Sequence, residues 1–140
     1  METWVIYAIL SMIFAGLTSV LAKYGLQNVN PDLGLGIRTT TIFFLITSFN
    51  FLTDKLKDFP SLTGKQLVFL ICSGCTTTLS WLFYYRAMKD GLVSYVAAID
   101  KASIVITLVL SFILLKEPMT PKIIVGAALI LAGMLVLVWK

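Results

Sequence analysis

The chain has 140 residues, 59% of them hydrophobic and 13% charged, with a mean hydropathy of +0.95. A soluble domain carries roughly a quarter charged residues and about half apolar ones, so the composition argues against an ordinary soluble domain and for the bilayer. The net charge of +4 is spread singly, mainly at the ends of apolar runs where basic residues anchor helices among headgroups. Membrane lipid is therefore an expected partner and nucleic acid is not.

A spanning helix needs ~20 mostly apolar residues, and five such runs plus short connections use up the chain, leaving no room for a separate catalytic domain. They are predicted at about 4–26, 33–52, 66–85, 92–115 and 122–139. The first begins Met-Glu-Thr-Trp, has no basic n-region, and is too long for a signal h-region, so it is expected to stay. A turn follows from Asn28 to Asp32, with Asn30 able to cap the second helix and Pro31 at its first position. The second run carries Arg38 in its second turn. Residues 53–65, with Pro60 and Gly64, form the longest connection. The third run ends in Trp81, Tyr84 and Tyr85, and residues 86–91 read as a charged turn closing on Asp90-Gly91. The fourth run contains Asp100 and Lys101. A break with Pro118 and Pro121 follows, Thr120 being a plausible cap for the fifth run. A β-barrel would need alternating segments of ~10 residues, whereas these runs are continuously apolar. The expected class is all-α integral membrane.

Five spans place the two ends of the chain on opposite membrane sides. Lys55, Lys57, Lys65, Lys116 and Lys122 fall on the N-terminal side, and Lys23, Arg38, Arg86, Lys89 and Lys140 on the other. Lys101 is left inside the membrane. Orientation follows the Lys/Arg bias of short loops, and this chain has essentially none. Either a few charges such as Arg86 and Lys89 decide one orientation, or the protein inserts both ways.

Several features resemble an EamA-type unit of the drug/metabolite transporter superfamily. They are small residues and a lysine late in helix one (Ser19, Ala22, Lys23), an arginine early in helix two (Arg38), and a third helix closing on Tyr84, Tyr85, Ala87 and Met88. A Gly-Leu-Val-Ser-Tyr-Val-Ala-Ala-Ile entry to helix four follows at 91–99, then Glu117-Pro118 and a last helix with Gly126 and Gly133. The resemblance covers essentially the whole chain and rests on the order and spacing of these features. It implies one half of a ten-helix inverted-repeat transporter, a plan in which the substrate site lies between the repeats at the midplane. Two copies inserted in opposite senses would supply both halves, which makes an antiparallel, dual-topology homodimer in the cytoplasmic (inner) membrane the expectation.

Asp100 and Lys101 lie roughly eight residues into their run, or ~10–12 Å along it at 1.5 Å per residue. A charge that deep costs ~2.5–3.5 kcal/mol on insertion scales and usually faces protein or a hydrated cavity. Lys23 and Arg38 sit at one membrane side on neighbouring antiparallel helices, so their charges can approach that of Asp100. One reading is that Asp100 neutralises a cation and Lys101 snorkels. The other is a vestibule of three cations and one carboxylate for a small anionic or zwitterionic metabolite, with Asp100 as the proton-linked group. Thr77, Trp81 and Tyr84 share a helix face that can line the pathway, against an interfacial belt role for Tyr84 and Tyr85. Glu117 reads as paired with Lys116 or Lys122, or as a gate. Gly126, Ala128, Ala132 and Gly133 make part of the last helix small enough for close packing against a second copy.

Cys72 and Cys75 lie mid-run and read as packing residues. No metal, cofactor or catalytic residue is expected, since histidine is absent and most acid–base schemes depend on it. The rivals are a subunit of a heteromeric lipid-linked sugar flippase and a non-transporting membrane scaffold. A toxic-cation exporter ranks below both, because the first helix lacks the embedded glutamate of the small multidrug resistance proteins.

Overall fold

The computed structural model describes residues 2–139. Five helices in it are long and apolar enough to cross a membrane: Thr3–Gly25, Pro31–Leu52, Gly64–Asp90, Val93–Leu115 and Pro121–Val138. Among the described residues there is no strand. The chain divides into two compact units, the first ending at Asp90 and the second starting at Gly91.

In the first unit, α1 (Thr3–Gly25) gives way to a turn in which Asn28 takes a left-handed φ of 58°, a conformation asparagine tolerates. Asn30 then caps α2 (Pro31–Leu52), its side chain accepting from the Asp32 and Leu33 amides at 2.9 and 3.4 Å. Pro31 occupies the first turn, where its missing N–H costs nothing. The expected cap and helix start are therefore both present. The long connection holds a 3₁₀ segment (Lys55–Ser61) that packs on α2.

Helix α3 (Gly64–Asp90) opens on a reciprocal cap that the sequence reading missed. The Gln66 side-chain oxygen accepts from the Thr63 amide at 2.9 Å, and Thr63 Oγ1 accepts from the Gln66 amide at 3.4 Å, which is the Thr-x-x-Gln capping box. At its other end α3 runs on through Asp90. Residues 86–90 are thus the last turn of a helix and not the charged turn expected.

Helices α1 and α2 both pack on α3. Among the described residues the few buried side chains are Leu26, Leu35, Tyr85 and Met88, all where α1 ends, α2 begins and α3 ends. Elsewhere the long apolar side chains point outward, because lipid is as good a neighbour for them as another helix. Packing is close at Gly34, where an added Cβ would come within 2.7 Å of Leu26 Cδ2.

In the second unit the fourth span, Val93–Leu115, tightens for one residue at Ala102, which keeps a right-handed helical φ of −62° and ψ of −17° between α4 (Val93–Lys101) and α5 (Ser103–Leu110). Ser111–Leu115 then widens into a π-type turn. Lys116, at φ 56°, ends the span, and Pro118 prevents its resumption. Thr120 caps α6 (Pro121–Val138) as expected, accepting from the Ile123 amide at 3.4 Å. Both α4 and α5 pack on α6.

Candidate functional site

The polar side chains of the first unit converge where its buried side chains do. Lys23, in the last turn of α1, donates to the carbonyls of Met88 and Lys89 at 2.6 and 3.1 Å. Lys89, in the last turn of α3, donates to the carbonyls of Leu26 and Val29, both at 3.0 Å. Lys23 thus reaches carbonyls in the last turn of α3, groups that have no partner within their own helix, with its charge at the favourable pole of that dipole. Lys89 holds the Leu26 carbonyl at the C-cap of α1 and the Val29 carbonyl in the turn beyond it. A small cavity of ≈ 220 Å³ lies between Lys23, Leu26, Gln27 and Lys89. Beside this exchange, Arg86 Nε and Nη2 donate to Asp32 Oδ1 and Oδ2, both at 2.9 Å, joining the end of α3 to the start of α2. The sequence reading singled out neither Lys89 nor the Asp32–Arg86 pair as site residues. The signal was available, because both helix ends fall on one membrane side and carry opposite charges.

Arg38 is held differently. Its guanidinium lies over the Trp81 ring, 4.3 Å from the centroid, and 5.7 Å from that of Tyr85. Cation–π contact of this kind is worth ~0.5–2 kcal/mol, more when water is excluded. Within its unit, among the described residues, no carboxylate pairs with Arg38; Asp32 is engaged by Arg86. Tyr84 shares a hydrogen bond with Ser19 of α1, 2.9 Å between hydroxyls. Tyr85 is only 3% exposed. An interfacial belt would leave these rings facing lipid headgroups; instead they fill the contacts of α3 with α1 and α2. Thr77 is half-buried and donates to the Ser73 carbonyl at 2.8 Å, so its hydroxyl proton is used within its own helix.

Between α1 and α2 lies a cleft of ≈ 380 Å³, with Leu21, Ala22 and Gly25 on one wall, Gly34 and Ile37 on the other, and Arg38 and Tyr85 among its lining. Thr18 also lines it, but donates to the Phe14 carbonyl at 2.7 Å.

In the second unit, Asp100 and Lys101 end α4 immediately before the tightened turn at Ala102. Although neighbouring residues diverge on a helix, the long lysine stem folds back, bringing Nζ to 3.4 Å from Asp100 Oδ2. The Asp100 side chain is 38% exposed and that of Lys101 67%. Glu117 is exposed and, among the described residues, pairs with neither Lys116 nor Lys122, which corrects the expectation of such a pair. On α6, Gly126 is half-buried, while Ala128, Ala132 and Gly133 are exposed. Cys72 and Cys75 are free thiols on exposed positions of α3, so within this chain they do not pack. Lys140 lies outside the described residues.

The chain has known relatives. The EamA-like transporter family matches residues 2–139. The chain is also 37% identical over 136 residues to a protein from a Sinorhizobium species described as an uncharacterized transporter in the cobO 3′ region; the match covers 97% of this chain and 96% of that one. No solved structure matches. The chain is a multi-pass membrane protein with the helical fold, the coverage and the relative expected of a membrane transporter, and it belongs to the EamA-like transporter family.

Proposed function

We propose that the protein moves a small anionic or zwitterionic metabolite across the cytoplasmic membrane by alternating access, as an antiparallel homodimer. The observation that carries this reading is the local tightening of the fourth span at Ala102, directly after Asp100 and Lys101. There the Ala102 and Val105 amides bond to the carbonyls three residues back, a mid-helix 3₁₀ feature of the kind that marks hinges. Transporters built from inverted repeats place substrate and ion sites near the midplane between the repeats. A chain with five spans supplies one such repeat. Its cations divide evenly, with Lys55, Lys57, Lys65, Lys116 and Lys122 on one side and Lys23, Arg38, Arg86, Lys89 and Lys140 on the other, which leaves both orientations open.

In this reading Asp100 carries the coupled proton, while Lys23, Arg38 and Lys101 set a preference for negative charge. Thr77, Trp81 and Tyr84 shape the pathway and Glu117 stands at its mouth. The small face of α6 meets the second copy. An added Cβ at Gly126 or Gly133 would find nothing within 4 Å in this chain, so that face has room for close approach.

The test uses copies locked in one orientation by extra lysines, either in the 53–63 connection or in the 27–29 turn. Oppositely locked copies carrying different tags are expected to copurify, and copies locked in the same sense are not. Equal copurification of same-sense copies would contradict the antiparallel pair.

A further inference from the structure

The α1–α2 cleft has a composition that restricts its occupant more narrowly than overall charge does. At ≈ 380 Å³ it sits at the small end of the ~300–1,000 Å³ range of ligand sites, with room for one hydrocarbon chain. Its walls are hydrocarbon, formed by residues such as Leu21, Ala22 and Ile37. The Thr18 proton is already given to Phe14. A sugar, nucleotide or other polyhydroxylated solute would leave hydroxyls without partners there, at a cost of several kcal/mol each in an apolar medium (~2–7).

Arg38 is the exception on those walls. Its face is engaged by Trp81 and Tyr85. Among the described residues no hydrogen bond or ion pair within its unit takes up its N–H edge. A guanidinium fork matches a carboxylate through two parallel bonds, and aromatic stacking pre-organises that fork.

We propose that this cleft is a binding site for a single-chain amphipathic carboxylate, its head on Arg38 and its chain along the apolar walls toward Gly25. This narrows the substrate class of the transport reading and rests on it for physiological meaning. Binding to the cleft, however, requires neither transport nor a particular dimer.

The test measures equilibrium binding of radiolabelled decanoate to the full-length protein in phosphatidylcholine nanodiscs, with partition into empty nanodiscs subtracted. Saturable binding is expected, with decanol and decyltrimethylammonium at least tenfold weaker. Arg38→Gln is expected to weaken decanoate binding roughly tenfold to a hundredfold, the range for loss of a charge-assisted hydrogen bond, and Arg38→Lys by less. If Arg38→Gln fails to fold, Gly25→Leu decides the matter. An added Cβ at Gly25 meets nothing within 4 Å, so the new side chain has room to start, and because Gly25 lines the cleft the leucine is expected to occupy it and to abolish saturable binding. Non-saturable uptake, equal binding of decanol, or full binding in Gly25→Leu would each overturn the proposal and assign the cleft to ordinary lipid chains. Such a result would leave the transport reading intact. Conversely, same-sense copurification of locked copies alongside intact decanoate binding would remove the antiparallel pair and keep the site.

Discussion

Asp32 accepts both bonds of the Arg86 fork, Nε to Oδ1 and Nη2 to Oδ2, each at 2.9 Å, and so ties the first turn of α2 to the last turn of α3. The pair is exposed, with side chains 45% and 57% accessible, so its effect on stability is small and its effect on register is the one to measure. Either Asp32→Asn or Arg86→Gln is expected to lower the thermal midpoint in detergent by no more than about 4 °C, the scale of an exposed pair. The exchange Asp32→Arg with Arg86→Asp is expected to restore most of that loss. A double variant no better than the sum of the singles would show that the two charges do not act on each other.

The exchange between Lys23 and Lys89 is the stronger fastening. Lys23 reaches carbonyls in the last turn of α3, and Lys89 reaches the Leu26 carbonyl at the C-cap of α1 and the Val29 carbonyl in the turn beyond it. Replacing either lysine by methionine is expected to cost ~1–3 kcal/mol, the scale for bonds to a charged donor. The double variant is expected to lose less than the sum, because both caps fasten the same two helix ends. Strict additivity in thermal unfolding would show the two caps to be independent.

The Arg38–Trp81 contact at 4.3 Å is expected to survive Trp81→Phe in weakened form and to be lost in Trp81→Ala. The latter should destabilise by ~0.5–2 kcal/mol beyond its cavity term. In an Arg38→Gln background that excess should vanish. Persistence of the full cost there would mean that Trp81 acts through packing alone.

Asp100→Asn is expected to insert and assemble normally while abolishing proton dependence. The measurement is accumulation of small carboxylates by proteoliposomes under an imposed pH gradient, with internal pH followed by a trapped dye. Unchanged coupling in the variant would remove Asp100 from the mechanism.

The spans and their starts were legible in the sequence because local chemistry writes them. Asn30 with Pro31 and Thr120 with Pro121 each combine a side-chain acceptor with a residue that lacks an N–H, and both caps form. The Thr63–Gln66 box is equally local and could have been read in the same way. The extension of α3 to Asp90 was not legible, because Arg86, Lys89 and Asp90 look like a loop until their partners on other helices are known. Two of the three, Arg86 and Lys89, are satisfied by Asp32 and by the Leu26 and Val29 carbonyls, contacts that depend on helix pairing and not on neighbours in sequence. The tightened turn at Ala102 carries neither glycine nor proline to announce it. Arg38 was singled out for its charge, but its seat on Trp81 depends on the register between α2 and α3, which hydropathy leaves undetermined.

The central claim is that one five-span chain supplies both halves of its transporter by inserting in both senses. The most direct measurement places paired reporters, each active on only one side of the membrane, after Lys140. Comparable signal from both is expected, since the basic residues divide evenly between the two sides and loop charge sets orientation. Signal from one reporter alone would contradict self-pairing by inversion and turn the search to a second, oppositely oriented chain.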